Sequence, residues 1–336
     1  MKKFFTLALL PCLIFIFATS GVYIWWQENA KPVSSDTKTK DFLIVRGRGA
    51  SEIAQQLYAE GLIKNPLAFK FYIQVTGKTK SIQAGRYSLS PDHSLKDLVK
   101  LLVAGPKDLW VTIPEGLRRE EIVEKFITGL GKEDLEKEIF REEFMQESSG
   151  LEGFLFPDTY LFPRETGALA VIKTMKGVFD KKVKEFESQI SASRLSLKEI
   201  VTLASIIERE TKKDEERPIV AGILLNRLKI GMAIQADATV QYVSANLKFK
   251  SQNSKIEKFW EPLSKKDLEI DSPYNTYKYK GLPPGPIANP GLSSLGAAII
   301  PDKTDYLYYL HDTSGNIHFA KTLDEHNENV KNYLGR

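Results

Sequence analysis

Apolar residues recur along the chain with two spacings, and each spacing predicts a different kind of element. Phe42 to Val45 reads as a short strand, and Gly47 and Gly49 punctuate the turn after it. Ile53, Ala54 and Leu57 then repeat at helical spacing, with Ser51 as the expected N-cap. A second helix is expected over residues 66–75, where Leu67, Phe69, Phe71 and Tyr72 supply an apolar face. Residues 84–89 read as a strand and 95–103 as a short helix. The pattern then partly repeats, with a strand at 110–113, a turn at Pro114-Glu115-Gly116 and a helix from Arg119 carrying Ile122, Val123 and Phe126. Small strand-to-helix units of this kind suit a binding or spacer module more than a catalytic core. Gly47-x-Gly49 lacks the third glycine and the rest of a dinucleotide-binding unit, which excludes that reading.

The strongest pattern comes later. Ser196 followed by Glu199 is a capping box, and residues 196–211 are expected to be helical. At about 100° per residue, Leu197, Ile200, Val201 and Ala204 share one arc, and Glu208 falls near its middle. Glu210 should lie close to Glu199 on a wetter side. A carboxylate centred on an apolar stripe must be paired, hydrogen-bonded or functional, because burying it otherwise is costly. The structural reading is a buried ion pair with Arg217 or Arg227. The functional reading is a general acid for glycoside cleavage.

A further helix starts at Arg217-Pro218, with proline suited to the first turn, and ends at Gly231. Between 232 and 242 polar and apolar residues alternate, as in an amphipathic strand or helix start, or in a groove lined by Gln235, Asp237 and Thr239. Ser272 to Tyr277 and the Gly281 to Gly291 stretch are dense in proline and glycine, which fix an irregular backbone of the sort that shapes sites. Residues 306–310 and 317–320 are expected to pair as a hairpin, with His318 on one face and a satisfied structural histidine as its simpler role.

Composition narrows the chemistry. The 336 residues carry 47 Lys and Arg against 43 Asp and Glu, a net charge of +4, too small an excess to argue for nucleic acid. One cysteine, Cys12, rules out an internal disulfide framework, and four histidines outside any HExxH pattern give no reason to expect a metal or another cofactor. Residues 4–26 carry no charge and would span roughly 34 Å as a helix, enough for a bilayer core. Lys2 and Lys3 before this run place the N-terminus in the cytoplasm, and Trp25 and Trp26 sit where an interfacial belt would lie. The alternative is a cleaved signal peptide processed after the small residues Ala18 to Ser20. Residues 27–41 read as a polar tether.

Several ordered motifs resemble one family. LASIIERET at 203–211, Asn226-Arg-Leu, Gly231-Met, Gln235-x-Asp-x-Thr-Val240, SPYNTY at 272–277, GLPPGPI at 281–287, Asn289-Pro-Gly291 and EGFLFPDTY at 152–160 are similar to the YceG-like family of endolytic murein transglycosylases. The resemblance implies an α+β protein with an N-terminal transmembrane helix (4–26), a small LysM-like β-α module (42–108) and a C-terminal α+β catalytic region (109–336). That region would comprise a leading β-α part, 109–160, and a catalytic core, 161–336. It further implies a single-pass protein of the bacterial cytoplasmic membrane, anchored in lipid through 4–26, whose catalytic part lies outside. There it would cut nascent peptidoglycan strands, beside peptidoglycan synthases. The family's acid matches Glu208, with Gln235, Asp237, Thr239, Tyr274, Asn275, Tyr277, Pro283, Pro284 and Asn289 around it and Glu152 and His318 as further candidates for substrate binding. Two rival readings are a hydrolase of the same glycan that adds Asp237 as second carboxylate, and a wall-binding scaffold without activity.

Overall fold

The computed structural model describes residues 19–45, 47–251 and 258–335, the side chains of 249–251 excepted. Most of the expected membrane span, residues 4–18, lies outside the described residues, and so does Cys12. Its end is helical from residue 19 and continues to residue 30, where Trp26 stacks on Tyr72 at 5.4 Å between ring centroids. Among the described residues no helix is long and apolar enough to cross a membrane.

The chain forms two compact units. The first comprises Met1–Val111 with Tyr160–Glu165, the second Thr112–Thr159 with Thr166–Arg336. The boundaries implied by the family resemblance are 108/109 and 160/161. Residues 160–165 fall in the first unit because the strand Thr159–Pro163 completes its sheet.

In the first unit the elements are β1 (Lys40–Ile44), α1 (Ala50–Ala59), α2 (Pro66–Val75), β2 (Gly85–Leu89), α3 (Leu95–Ala104) and β3 (Asp108–Thr112). Counting on through the helices α4 (Arg119–Leu130) and α5 (Asp134–Glu147), Thr159–Pro163 is β4. The sheet order is β1-β2-β3-β4, with β1 antiparallel to β2 from Lys40 opposite Leu89 to Ile44 opposite Gly85. Alternate residues Phe42, Ile44, Tyr87 and Leu89 point into a core closed by Leu57, Phe69, Leu98 and Leu102 from the three helices. Helix α1 starts one residue before the expected Ser51 cap. Gly49 is its N-cap, and Glu52 accepts the Gly49 N–H at 3.3 Å.

The second unit is mainly helical: α4, α5, α6 (Ala168–Lys184), α7 (Glu187–Ala192), α8 (Leu197–Glu210), α9 (Arg217–Lys229), α10 (Asp237–Ser251), α11 (Leu292–Ile299) and α12 (Leu323–Leu334), with the hairpin β5 (Tyr308–His311) and β6 (Ile317–Ala320). Asp237 opens a helix, which settles the ambiguous alternation as a helix start. Helix α8 begins as its capping box requires: Ser196 Oγ accepts the Glu199 N–H at 3.3 Å, and Glu199 accepts the Ser196 N–H at 2.8 Å. Every residue from Ile200 to Ile207 is buried, so this helix runs through the core with neighbours all round instead of resting on one face. Its packing partners are α9 and α11, through Val220, Leu224 and Leu295 among others. Each fully buried aliphatic side chain there contributes about 1.5–3 kcal/mol of transfer energy.

Gly153 joins two loops that later matter. Its φ is +85°, and a Cβ there would lie 2.5 Å from Pro286 Cβ and 2.8 Å from Val201 Cγ1. Neither a proline ring nor a side chain on the core helix can move aside at little cost. We expect Gly153→Ala to destabilise the second unit by about 2–4 kcal/mol, combining φ strain with overpacking, in urea unfolding. An unchanged midpoint would show that the loops at 153 and 286 do not pack as described.

Candidate active site

Helix α8 ends where Thr211 turns to extended backbone (φ −137°, ψ 141°), and the single 3-10 turn Asp214–Glu216 leads directly into α9. That short reversal brings Arg217 back over the end of α8. Its Nη2 lies 3.1 Å from Glu208 Oε1, and both side chains are only 6% exposed. The second oxygen, Oε2, accepts the Gly291 N–H at 3.0 Å. Gly291 is the N-cap of α11, so the Glu208 carboxylate satisfies an amide at a helix start, where negative charge is favoured. Of the two readings of Glu208, the ion pair with Arg217 is therefore present. It does not exclude the functional one.

A second carboxylate stands at the same guanidinium. Glu115, in the turn before α4, has Oε2 3.9 Å from Arg217 Nη1, while Asp214 Oδ1 is 2.8 Å from that nitrogen. The Glu115 carboxylate packs on Gly291, where a Cβ would collide with it, and at the next residue, Gly116, a Cβ would lie 3.4 Å from Glu208 Cγ. Burial, and then the nearby charge of Glu208, raises the Glu115 carboxyl above the usual carboxylate value, with Arg217 opposing. Next along α8, Arg209 lays its guanidinium 3.9 Å from the Trp260 ring centroid.

The Gly281 to Gly291 loop is held on three sides. Asn289 pairs its backbone with Leu117, donates Nδ2 to Leu117 O at 3.0 Å and to Glu152 Oε1 at 2.8 Å, and accepts the Leu155 N–H on Oδ1 at 2.9 Å. Ser205 on α8 accepts the Ile287 N–H at 3.0 Å. Glu152 is buried, with Arg119 Nε 3.9 Å away, and desolvation followed by the charge of Glu120 pushes its carboxyl up to about 8. Arg118, fully buried, lies over the Tyr242 and Phe259 rings and reaches Glu120 at 3.2 Å.

The other expected groove residues divide between different places. Residues 208 and 210 lie about 200° apart around a helix, and Glu210 accordingly faces elsewhere. It accepts the Tyr309 hydroxyl at 2.8 Å and lines a cleft of about 380 Å³ with Gln235, Asp237, Tyr277, Arg227 and His326. Tyr277 donates to Asp237 at 2.5 Å, and Gln235 holds a positive φ of 56°. Burial raises the Glu210 carboxyl, Tyr309 lowers it by hydrogen bonding, and Asp237 raises it again. Gln235, Asp237 and Tyr277 thus gather around Glu210, while Asn289 and Glu152 brace the Glu208 loop.

Thr239 is buried, its hydroxyl 2.8 Å from that of Thr276. Asn275 is buried and donates to Leu268 O and Ile270 O at 2.9 and 2.8 Å, a contact that shapes its own loop. Tyr274 packs on Tyr242 and sets its hydroxyl against Gly285. In the proline-rich loop Pro283 is buried and Pro284 exposed. His318 lies in the hairpin, 3.0 Å from Asp312 and stacked on Tyr333 at 3.5 Å, contacts that match its simpler structural role. The patterning did not single out Glu115. Its one signal was the Pro-Glu-Gly turn, which puts an acidic side chain where the chain reverses.

Comparison with known proteins places nearly the whole chain in a known family. The sequence profile of the YceG-like family matches residues 42–332, and the chain belongs to that family. It is 34% identical, over 94% of its length and 90% of the relative's, to the endolytic murein transglycosylase of Bacillus subtilis strain 168. It is 31% identical to the endolytic murein transglycosylase of Streptococcus pneumoniae strain D39, covering 94% of this chain and 63% of that one. The crystal structure of a YceG-like protein from Listeria monocytogenes superposes with a TM-score of 0.56 at 32% identity, covering 87% of this chain and 99% of that one.

Glu152 gives a pH test of the clamp. Between about 4.5 and about 8 the unfolded chain has released a proton that native Glu152 still holds, so stability falls as pH rises through that window. The raised Glu210 and Glu115 carboxyls act in the same direction. The thermal midpoint is expected to drop across this range, and Glu152→Gln, which keeps the acceptor for Asn289, should make the drop shallower. A slope unchanged by the substitution would place the titrating group elsewhere.

Proposed function

We propose that this chain is a membrane-anchored endolytic lytic transglycosylase that cleaves the MurNAc-GlcNAc bond of nascent peptidoglycan and leaves 1,6-anhydro-MurNAc ends, with Glu208 as its acid/base residue. The observation that carries the reading is the Glu208 carboxylate, fixed at the end of a core helix by Arg217 and by the amide of a rigid loop, in a chain that matches murein transglycosylases along nearly all its length.

The reaction needs little else. A proton reaches the glycosidic oxygen, the C1–O bond breaks as an oxocarbenium-like state develops, and the C6 hydroxyl of the same sugar attacks C1 as it gives up its proton. No water enters, so a single carboxyl that first donates and then accepts a proton completes the cycle. Proximity within one ring takes the place of a bound nucleophile. Residues 4–26 anchor the chain, the remainder lies outside the cytoplasmic membrane, and the β-α module of residues 42–108 is LysM-like and positions long strands.

Full-length protein in detergent should shorten uncrosslinked glycan to fragments whose new ends, by mass spectrometry, lack one water. Glu208→Gln should stay folded and lose about 10²- to 10⁴-fold in rate. Ends that retain the water would make the protein a hydrolase, and an unshortened glycan would favour the scaffold reading. The anchor is tested separately: a mature N-terminus near Gly21 in fractionated cells would show a cleaved signal peptide instead.

A further inference from the structure

The single-carboxyl cycle leaves Glu115 without a task, yet its position gives it one. Each Glu208 oxygen already accepts a hydrogen bond, one from Arg217 and one from Gly291, and the side chain is 6% exposed. Glu115 sits at the same guanidinium with 48% of its side chain open to solvent. Among the described residues its only cationic neighbour within 4 Å is Arg217, at 3.9 Å. A glycan strand approaching this cluster meets Glu115 before it meets Glu208.

We propose that Glu115 is a second catalytic carboxyl, which donates the proton taken by the departing sugar oxygen while Glu208 receives the proton of the attacking C6 hydroxyl. The inference rests on the transglycosylase reading and changes only which group donates. The step balances. The electron pair of the C1–O4 bond goes to O4, which takes the Glu115 proton; O6 forms its bond to C1 and passes its proton to Glu208. Each turnover leaves Glu115 ionised and Glu208 protonated, and one proton passed from Glu208 to Glu115, which face the same guanidinium, restores the starting state.

The surroundings favour this division. Glu115 is faced by Glu208 from α8, Arg217 from the start of α9 and Asp214 from the 3-10 turn, and Arg209 of α8 lies against the neighbouring Gly116. Partial burial and the charges of Glu208 and Asp214 hold its proton more tightly than water would, against the pull of Arg217. Glu208 is placed as an acceptor by two donors. Two carboxyls in different environments, one retaining a proton and one receiving it, are the usual way one site runs acid and base steps at the same pH.

The structure also supplies a way to move Glu115 without removing it. A methyl group at residue 291 would occupy the space of the Glu115 carboxylate, whereas the Gly291 backbone (φ −76°, ψ 175°) suits alanine and keeps the N–H that Glu208 accepts.

The experiment compares full-length wild type, Glu115→Gln, Glu115→Asp and Gly291→Ala on uncrosslinked glycan across pH, with thermal unfolding of each. Glu115→Gln should lose about 10²- to 10⁴-fold in kcat with KM and unfolding midpoint little changed. The alkaline limb of the wild-type kcat profile, which reports loss of the donor's proton, should vanish from its residual activity. Glu115→Asp should recover part of the rate and shift that limb, and Gly291→Ala should lose rate at unchanged stability. Wild-type cleavage with Glu115→Gln equally active, or slower with its alkaline limb intact, overturns the role of Glu115 and leaves the transglycosylase reading standing. A wild type that cuts nothing overturns both.

Discussion

One guanidinium organises the site. Arg217 is almost completely enclosed and faces three carboxylates: Glu208 at 3.1 Å, Asp214 at 2.8 Å and Glu115 at 3.9 Å. Charges buried to this degree persist only when they compensate each other, and leaving one partner unpaired costs about 3–5 kcal/mol. Arg217 is therefore not free to leave, and neither is Glu208. The consequence is geometric. The carboxylate at the end of α8, the turn before α4 and the first turn of α11 are tied to one point, although they come from distant parts of the sequence. The Asn289 side chain repeats the device without charge, joining Leu117, Glu152 and Leu155 through three hydrogen bonds.

Helix α8 is able to do this because it lies within the core. Its eight consecutive buried residues fix its axis and rotation, so side chains at its C-terminal end project in set directions. Glu208 and Glu210 project to nearly opposite sides. One enters the Arg217 cluster, and the other enters a tyrosine-rich cleft where Tyr309 and Tyr277 donate to Glu210 and Asp237. A helix resting on a single face would leave such an end free to fray, and neither carboxylate would hold a defined position.

Much of this was legible in the residues. The Ser196–Glu199 capping box marks the start of α8, and Glu208 stands out as the charge within an apolar arc. Arg217 was one of the two cations that the arc suggested. Three strands and the helices of the first unit also follow from spacing, whereas the fourth strand, Thr159–Pro163, has no such signal. Other features depend on tertiary placement and have no local signature. Glu115 looks like an ordinary turn residue until Gly291 packs against it, and Asn289 looks like loop punctuation until its amide is seen to bridge two segments. The motif residues Gln235, Asp237 and Tyr277 belong together, as their density suggested, but they surround Glu210. Motif order along a chain does not reveal which side of a helix a loop will reach.

The dependence of the site on Arg217 can be measured by a double-mutant cycle in unfolding free energy, using Arg217→Met, Glu208→Met and the pair. If the buried ion pair is the constraint described, each single change destabilises by about 3–5 kcal/mol and the pair costs much less than the sum, because no unpaired charge remains between them. If the two effects simply add, Arg217 and Glu208 do not share a buried charge balance, and the site is held together by something else.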